Sequence, residues 1–409
     1  MPYPGTMANA EGHTWEFKAR FRRSAFGWRS QPAIQRVKEA VSEIKKVARR
    51  EPVLAADGAV TFLERLSPAL ERVDSSSGAI GTAVNHAISE LVPVIAGAPA
   101  NVQVRERWLE RLWAAHEADR IPYIERLADA WGQLCASKEV AAAWADLLVG
   151  STQMALSPDR ALRGYFHGTS ACLSALYRAE RYEEIIELLR AEALWPYKRW
   201  GVKALAALGE TSEAIRCAES CRGPWATDAD VDATCEEILL SSGQVEEAYQ
   251  RYGLRANRGG TYLSTFRSVA RKYPHKPARV VLADLVETTP GSEAKWFAAA
   301  KEAGLYDEAL ALASRTPCDP RTLTRAARDL AQKQPAFALG AGLLALHWLV
   351  RDHGYEITGA DVWAAYGSVM KAAEYGGTMA EARERVKGVV ANEGPEGFVT
   401  RVLGSELGL

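Results

Sequence analysis

The chain should fold entirely into α-helices, and three patterns in the sequence carry that expectation. Proline and glycine clusters are separated by 12 to 20 residues whose apolar positions recur at i, i+3, i+4 and i+7, as in Ala40, Ile44 and Val47 or Leu63, Leu66 and Leu70. That is the period of a helix burying one stripe. Alternation of β-branched with polar residues is nearly absent: the best strand candidate, Tyr355-Glu356-Ile357-Thr358, is four residues long. The third pattern is a turn with an acidic helix start that recurs through the second half of the chain.

Composition narrows the class further. The 409 residues are 48% hydrophobic and 25% charged with a net charge of −1, which excludes a disordered, collagen-like or uniformly basic chain. A fourteen-residue apolar run at 337–350 is shorter than the roughly 20 residues a bilayer span needs. The first residues lack a basic segment followed by an apolar core, so neither a secretory signal nor a membrane partner is expected. Six cysteines sit mostly in helix-like segments, where a reduced thiol acts as a small apolar residue, and a cytoplasmic protein is the expectation.

Taken in order, residues 1–31 read as a basic, aromatic arm. Residues 32–150 read as helical pairs broken around Glu51-Pro52, residues 74–78, Ala98-Pro99, Ile121-Pro122 and Ser137-Lys138. From 151 to 392 one motif returns: Glu180-Arg181-Tyr182-Glu183-Glu184-Ile185, then Gly-x-x-x-Glu-Ala beginning at Gly209, Gly243, Gly304 (with Asp307 before Glu308) and Gly377. Glycine ends one helix in a left-handed conformation, the acids suit the positive end of the next helix, and alanine lets the hairpin close. The last two intervals are doubled, with breaks at Pro274 to Pro277 and at Pro335. A period of about 30 to 34 residues marks stacked helical hairpins, so the predicted architecture is a right-handed α-solenoid, with 393–409 as a tail.

These turns resemble tetratricopeptide-type repeats, and the less regular pairs of 32–150 resemble HEAT repeats, although no copy carries the full tetratricopeptide consensus. Residues 69–78 (Ala-Leu-Glu-Arg-Val-Asp-Ser-Ser-Ser-Gly) are similar to a segment of bacterial helical-repeat proteins, some of which carry a SWIM-type zinc finger. The finger's cysteine and histidine pairs are missing here. The resemblance implies architecture and a bacterial origin, and no activity.

Chemical motifs are incomplete. None of the histidines at 13, 86, 116, 167, 275, 347 and 353 pairs with another ligand at metal spacing, and Cys217 and Cys221 share a helix face without a second pair. Asp228, Asp230 and Asp232 open like a calcium loop, but Ala233 replaces the required glycine and Leu239 the bidentate acid. Ser77 to Thr82 has no lysine after its second glycine. No metal or cofactor is therefore expected. An enzyme reading would draw on His167, Cys172, Glu236 and Glu237.

Three segments suit binding. The first 50 residues hold eleven Lys/Arg against four Glu, a net +7 that leaves −8 for the remainder. Among them Arg20, Arg22, Arg23, Trp28 and Arg29 mix cations with flat rings, as nucleic-acid grooves do, while the plainer reading is an arm whose aromatics dock on the first helices. Tyr197, Lys198, Arg199 and Trp200 form the second segment, and Asn257, Arg258 and Tyr262 the third. Both fall where repeats line a solenoid's concave face, and Tyr, Trp and Arg dominate binding hot spots. The leading expectation is a non-catalytic scaffold that holds a peptide or protein partner on its surface, with nucleic-acid binding and catalysis as alternatives.

Overall fold

The computed structural model describes residues 13–409 apart from Arg160 and Leu162. Helix accounts for 71% of the described residues, and no strand forms among them. The chain divides into two compact units, 1–242 and 243–409. The division falls on the third of the repeated turns, at Gly243.

The first unit contains α1 (Glu16–Arg20), α2 (Ser30–Ala48), α3 (Pro52–Leu70), α4 (Ala79–Gly97), α5 (Val102–Glu117), α6 (Trp131–Cys135), α7 (Lys138–Ala155), α8 (Thr169–Arg178), α9 (Tyr182–Leu188), α10 (Trp195–Ala207), α11 (Thr211–Ser220) and α12 (Asp228–Ser241). The second contains α13 (Val245–Ala248), α14 (Leu254–Ala256), α15 (Tyr262–Lys272), α16 (Ala278–Glu287), α17 (Phe297–Glu302), α18 (Tyr306–Arg315), α19 (Pro320–Leu330), α20 (Pro335–Val350), α21 (Gly359–Gly376), α22 (Met379–Ala391) and α23 (Phe398–Leu407). Within each unit helices pack chiefly on their neighbours in the chain, as in α2–α3–α4, α7–α8, α10–α11–α12 and α19–α20–α21. This is the contact pattern of an α-solenoid.

The five repeated turns share one backbone geometry. Gly209, Gly243, Gly304 and Gly377 have φ of +89°, +75°, +73° and +68°, and Glu180, which stands where the others have glycine, is also left-handed at +61°. A helix begins two residues after each of them. Five residues after each lies Ile185, Ala214, Ala248, Ala309 or Ala382, all fully buried. So the motif works through conformation at its first position and close packing at its last.

Every break read from residues 32–150 separates two helical elements: Pro52 opens α3, Ser137 caps α7 through a hydrogen bond from the Val140 amide, and the other three are loops. Residue 150, where the repeat character was expected to change, lies inside α7. The tail expected at 393–409 contains α23, whose Val399, Leu403 and Leu407 are buried against α21 and α22. Tyr355 to Thr358 form a bend and an irregular link rather than a strand, and Thr358 caps α21 in a reciprocal pair with Asp361.

Among the described residues one helix, α4, is long and apolar enough to cross a bilayer, which the apolar run at 337–350 is not. Its apolar face, including Ile80, Val84, Ile88, Leu91 and Ile95, is spent on the core with α2 and α3, and His86 and Glu90 occupy the other side.

Candidate binding cleft in the second unit

The segment from α13 to α15 is built around an irregular helix. After α13 the backbone widens into a π-helical turn, Tyr249–Gly253, before α14 resumes. Such turns insert one residue, rotate everything after them, and are frequent at functional sites. The turn is held by Tyr249, whose hydroxyl donates to Asp284 at 2.6 Å and whose ring stacks edge-on to buried Tyr273. Burial, followed by the hydrogen bond to Asp284, raises the Tyr249 pKa. Gly253 lets the helix pass close to the Tyr273 ring, since a Cβ there would lie 3.0 Å from it and the ring would have to shift.

Asn257 then donates from Nδ2 to the Gly253 carbonyl at 2.8 Å and closes the C-terminal end of this helix. The chain turns through Gly259, whose N–H donates to Thr265 Oγ1 at 2.9 Å and whose missing Cβ would collide with Ser264. Thr261 and Ser264 cap α15 reciprocally.

This geometry lines a cleft of about 280 Å³. Arg255 and Arg258 line it together with the rings of Tyr262 and Trp296, which meet edge to face at 4.8 Å. Trp296 is fixed by donation from Nε1 to Thr289 Oγ1 at 2.8 Å, and Lys295 lies 5.6 Å from the centre of the Tyr262 ring. Leu254, Leu285, Thr288 and Thr289 add to the lining, which contains no carboxylate. Arg258 makes no ion pair among the described residues. The cleft therefore offers the Arg258 guanidinium, hydroxyls and a rigid aromatic face to an anionic group carried beside an apolar or planar one. Of the three residues expected here, Arg258 and Tyr262 line the cleft and Asn257 shapes the helix beneath it. Arg255, Lys295 and Trp296 were not singled out from the sequence; Lys295 and Trp296 reach Tyr262 only through packing of the 293–296 turn on α15.

The segment at 197–200 lies in the first unit and is largely committed to structure. Lys198 Nζ donates to the Leu189 carbonyl at 3.1 Å, closing α9, and Arg199 pairs with Asp129 at 2.5 Å while donating from Nε to the Pro196 carbonyl. Tyr197 is half-buried, and burial raises its pKa. Trp200 is 8% exposed and stacks near Tyr177; it borders a groove of about 770 Å³ in which cations (Arg178, Lys203) and acids (Asp129, Glu180) both appear.

In the N-terminal segment the aromatics dock, except Trp28. Trp15, Phe17 and Phe21 are buried against α3, with Phe17 and Phe21 each edge-on to Phe62. Arg20 pairs with Glu16 and Glu39, and Arg23 with Glu71. Arg22, Arg29 and Trp28, the last 72% exposed, remain on the surface. Residues 1–12 of the expected arm lie outside the described residues.

His167 and Cys172 do not form a nucleophile and base. Cys172 is buried, and burial pushes its thiol up to about 11, so it is neutral near pH 7. His167 stacks instead on Trp113 and His116. Glu236 is buried, whereas Glu237 is exposed and faces Lys203 at 3.5 Å. Cys221 donates its thiol to the Cys217 carbonyl, and among the described residues no three His, Cys, Asp or Glu side chains are grouped as a metal would need.

No protein-family model matches the chain, and no curated protein shows significant similarity to it.

Proposed function

We propose that this is a non-catalytic interaction protein, a helical-repeat scaffold whose second unit captures a segment of a protein partner bearing an acidic group beside an apolar or aromatic side chain. The observation that carries the reading is the acid-free cleft lined by Arg258 and by the locked Tyr262–Trp296 pair. Rigid rings lose little entropy on binding, and arginine reads carboxylates in a fixed geometry, so the pair suits selective capture of a short segment. The test is selection of displayed twelve-residue peptides on the full chain and on Arg258→Ala. Enrichment of Asp or Glu next to aromatic or aliphatic residues on the parent only supports the reading; equal enrichment on both proteins, or none, refutes it.

A second reading rests on Trp28 standing exposed between Arg22 and Arg29. That combination suits stacking on a single-stranded nucleic acid, and it predicts affinity that falls steeply with salt.

A further inference from the structure

We propose a second docking surface, in the first unit, for an acidic amphipathic helix of a partner protein: the groove between α2 and α4. It measures about 400 Å³. Its floor is apolar, with Val37 and Ala87 buried and Val41 and Ala83 half-buried. Its rim is cationic.

The rim follows from how α2 sorts its charges. Lys38, Lys45 and Arg49 recur at helical spacing beside Val41, and they line the groove together with Lys46. The acids of α2 are used elsewhere: Glu39 pairs with Arg20 and Arg36, and Glu43 accepts from the backbone N–H groups of Glu16 and Phe17. The single acid in the groove, Glu90 of α4, is taken by Lys45. Lys38, Lys46 and Arg49 make no ion pair among the described residues. The groove therefore carries a surplus of positive charge around an apolar floor.

Charge complementarity and shape together select the occupant. Groove residues on α2 and its C-cap, Arg49, run from 37 to 49, a rise of about 18 Å, or roughly three turns of helix. The walls are two helices packed side by side, and the recess between them accepts a ridge of side chains at i, i+3/i+4 and i+7. Acids flanking that ridge would meet the lysines and Arg49. A flat bilayer cannot enter the recess, and a nucleic acid has no use for the apolar floor.

The test uses fluorescence anisotropy with the full chain and a fluorescein-labelled, sixteen-residue helical peptide that has leucines along one stripe and glutamates on both flanks. Saturable binding is expected, weakened at least tenfold by replacing the glutamates with glutamine, by replacing the leucines with serine, and by Lys38→Glu combined with Lys46→Glu. Ala83→Glu should do the same by filling the floor; if it lowers the helical circular dichroism signal, the lysine variant, altered only at exposed positions, decides alone. Arg258→Ala should leave this binding unchanged, which separates it from the cleft of the second unit. The proposal is overturned if the peptide does not bind, if the serine peptide binds as well as the leucine one, or if an oligothymidylate or phosphatidylserine vesicles bind more tightly than the peptide and lose affinity with the same lysines.

Discussion

Replacing Gly304 by alanine isolates the backbone requirement of the repeated turn. Gly304 has φ +73°, and a Cβ built there meets no atom within 4 Å, so the substitution introduces no clash and removes no contact. What remains is the left-handed conformation itself, which costs an L-residue about 1–2 kcal/mol. Alanine also restricts the unfolded chain, which returns about 0.4–1 kcal/mol. The expected net loss is about 1 kcal/mol. If the second unit, residues 243–409, unfolds cooperatively, its unfolding entropy of about 0.35 kcal/mol/K converts this to a fall of roughly 3 °C in Tm. Glu180 provides the internal control, because it already bears the strain at φ +61°. Its exposed ion pair with Lys138 contributes little, so Glu180→Ala should change stability by less than about 0.5 kcal/mol. Urea denaturation followed by circular dichroism measures both variants. Equal effects at 304 and 180 would refute the argument that glycine is used at this turn for its conformation.

Arg105 is 5% exposed and donates to the carbonyls of Ile95, Ala96 and Ala98 at the end of α4 and of Leu134 in α6, at 2.7 to 3.4 Å. Arg105→Leu strands these buried acceptors and should cost about 3–5 kcal/mol in urea denaturation, given about 1.5–3 kcal/mol for hydrogen bonds to a charged group. His116 has its pKa lowered by burial and then by His167, so the folded state holds it neutral while the unfolded chain binds the proton near pH 6.5. Its contribution to stability is thus full above that pH and is lost as pH falls below it; His116→Phe should flatten the decline in Tm between about pH 6.5 and 5, and an unaltered slope would place the pH dependence elsewhere. Arg199→Ala loses the Asp129 pair, of which both side chains are about a third exposed, and should lower stability by about 0.5–1 kcal/mol while leaving peptide capture by the second unit intact.

What could be read in advance was local. Pro52, Ser137 and the repeated glycines act through their own backbone or the next turn, so the sequence locates their helices without knowledge of the packing. The acidic starts and buried alanines follow from the same few residues. Side-chain partners across the fold were less legible. Lys198 and Arg199 looked like binding residues, yet Leu189 and Asp129 absorb them, and Asp129 stands 70 positions away in the chain. Arg258 and Tyr262 were legible as candidates, but the cleft also needs Trp296, held by Thr289, and these arrive from the turn after α16. The π-helical turn at Tyr249–Gly253 left no pattern in the sequence beyond the close spacing of two tyrosines and a glycine.

Isothermal titration of a peptide selected on the full chain, carried out with the parent, Arg258→Ala and Tyr262→Ala, tests the binding reading most directly. The account predicts that each substitution weakens the peptide by about 1–3 kcal/mol, the range of anchored hot-spot side chains, with Tm changed little for exposed Arg258. Unchanged affinity in both variants would contradict it and move the binding function away from this cleft.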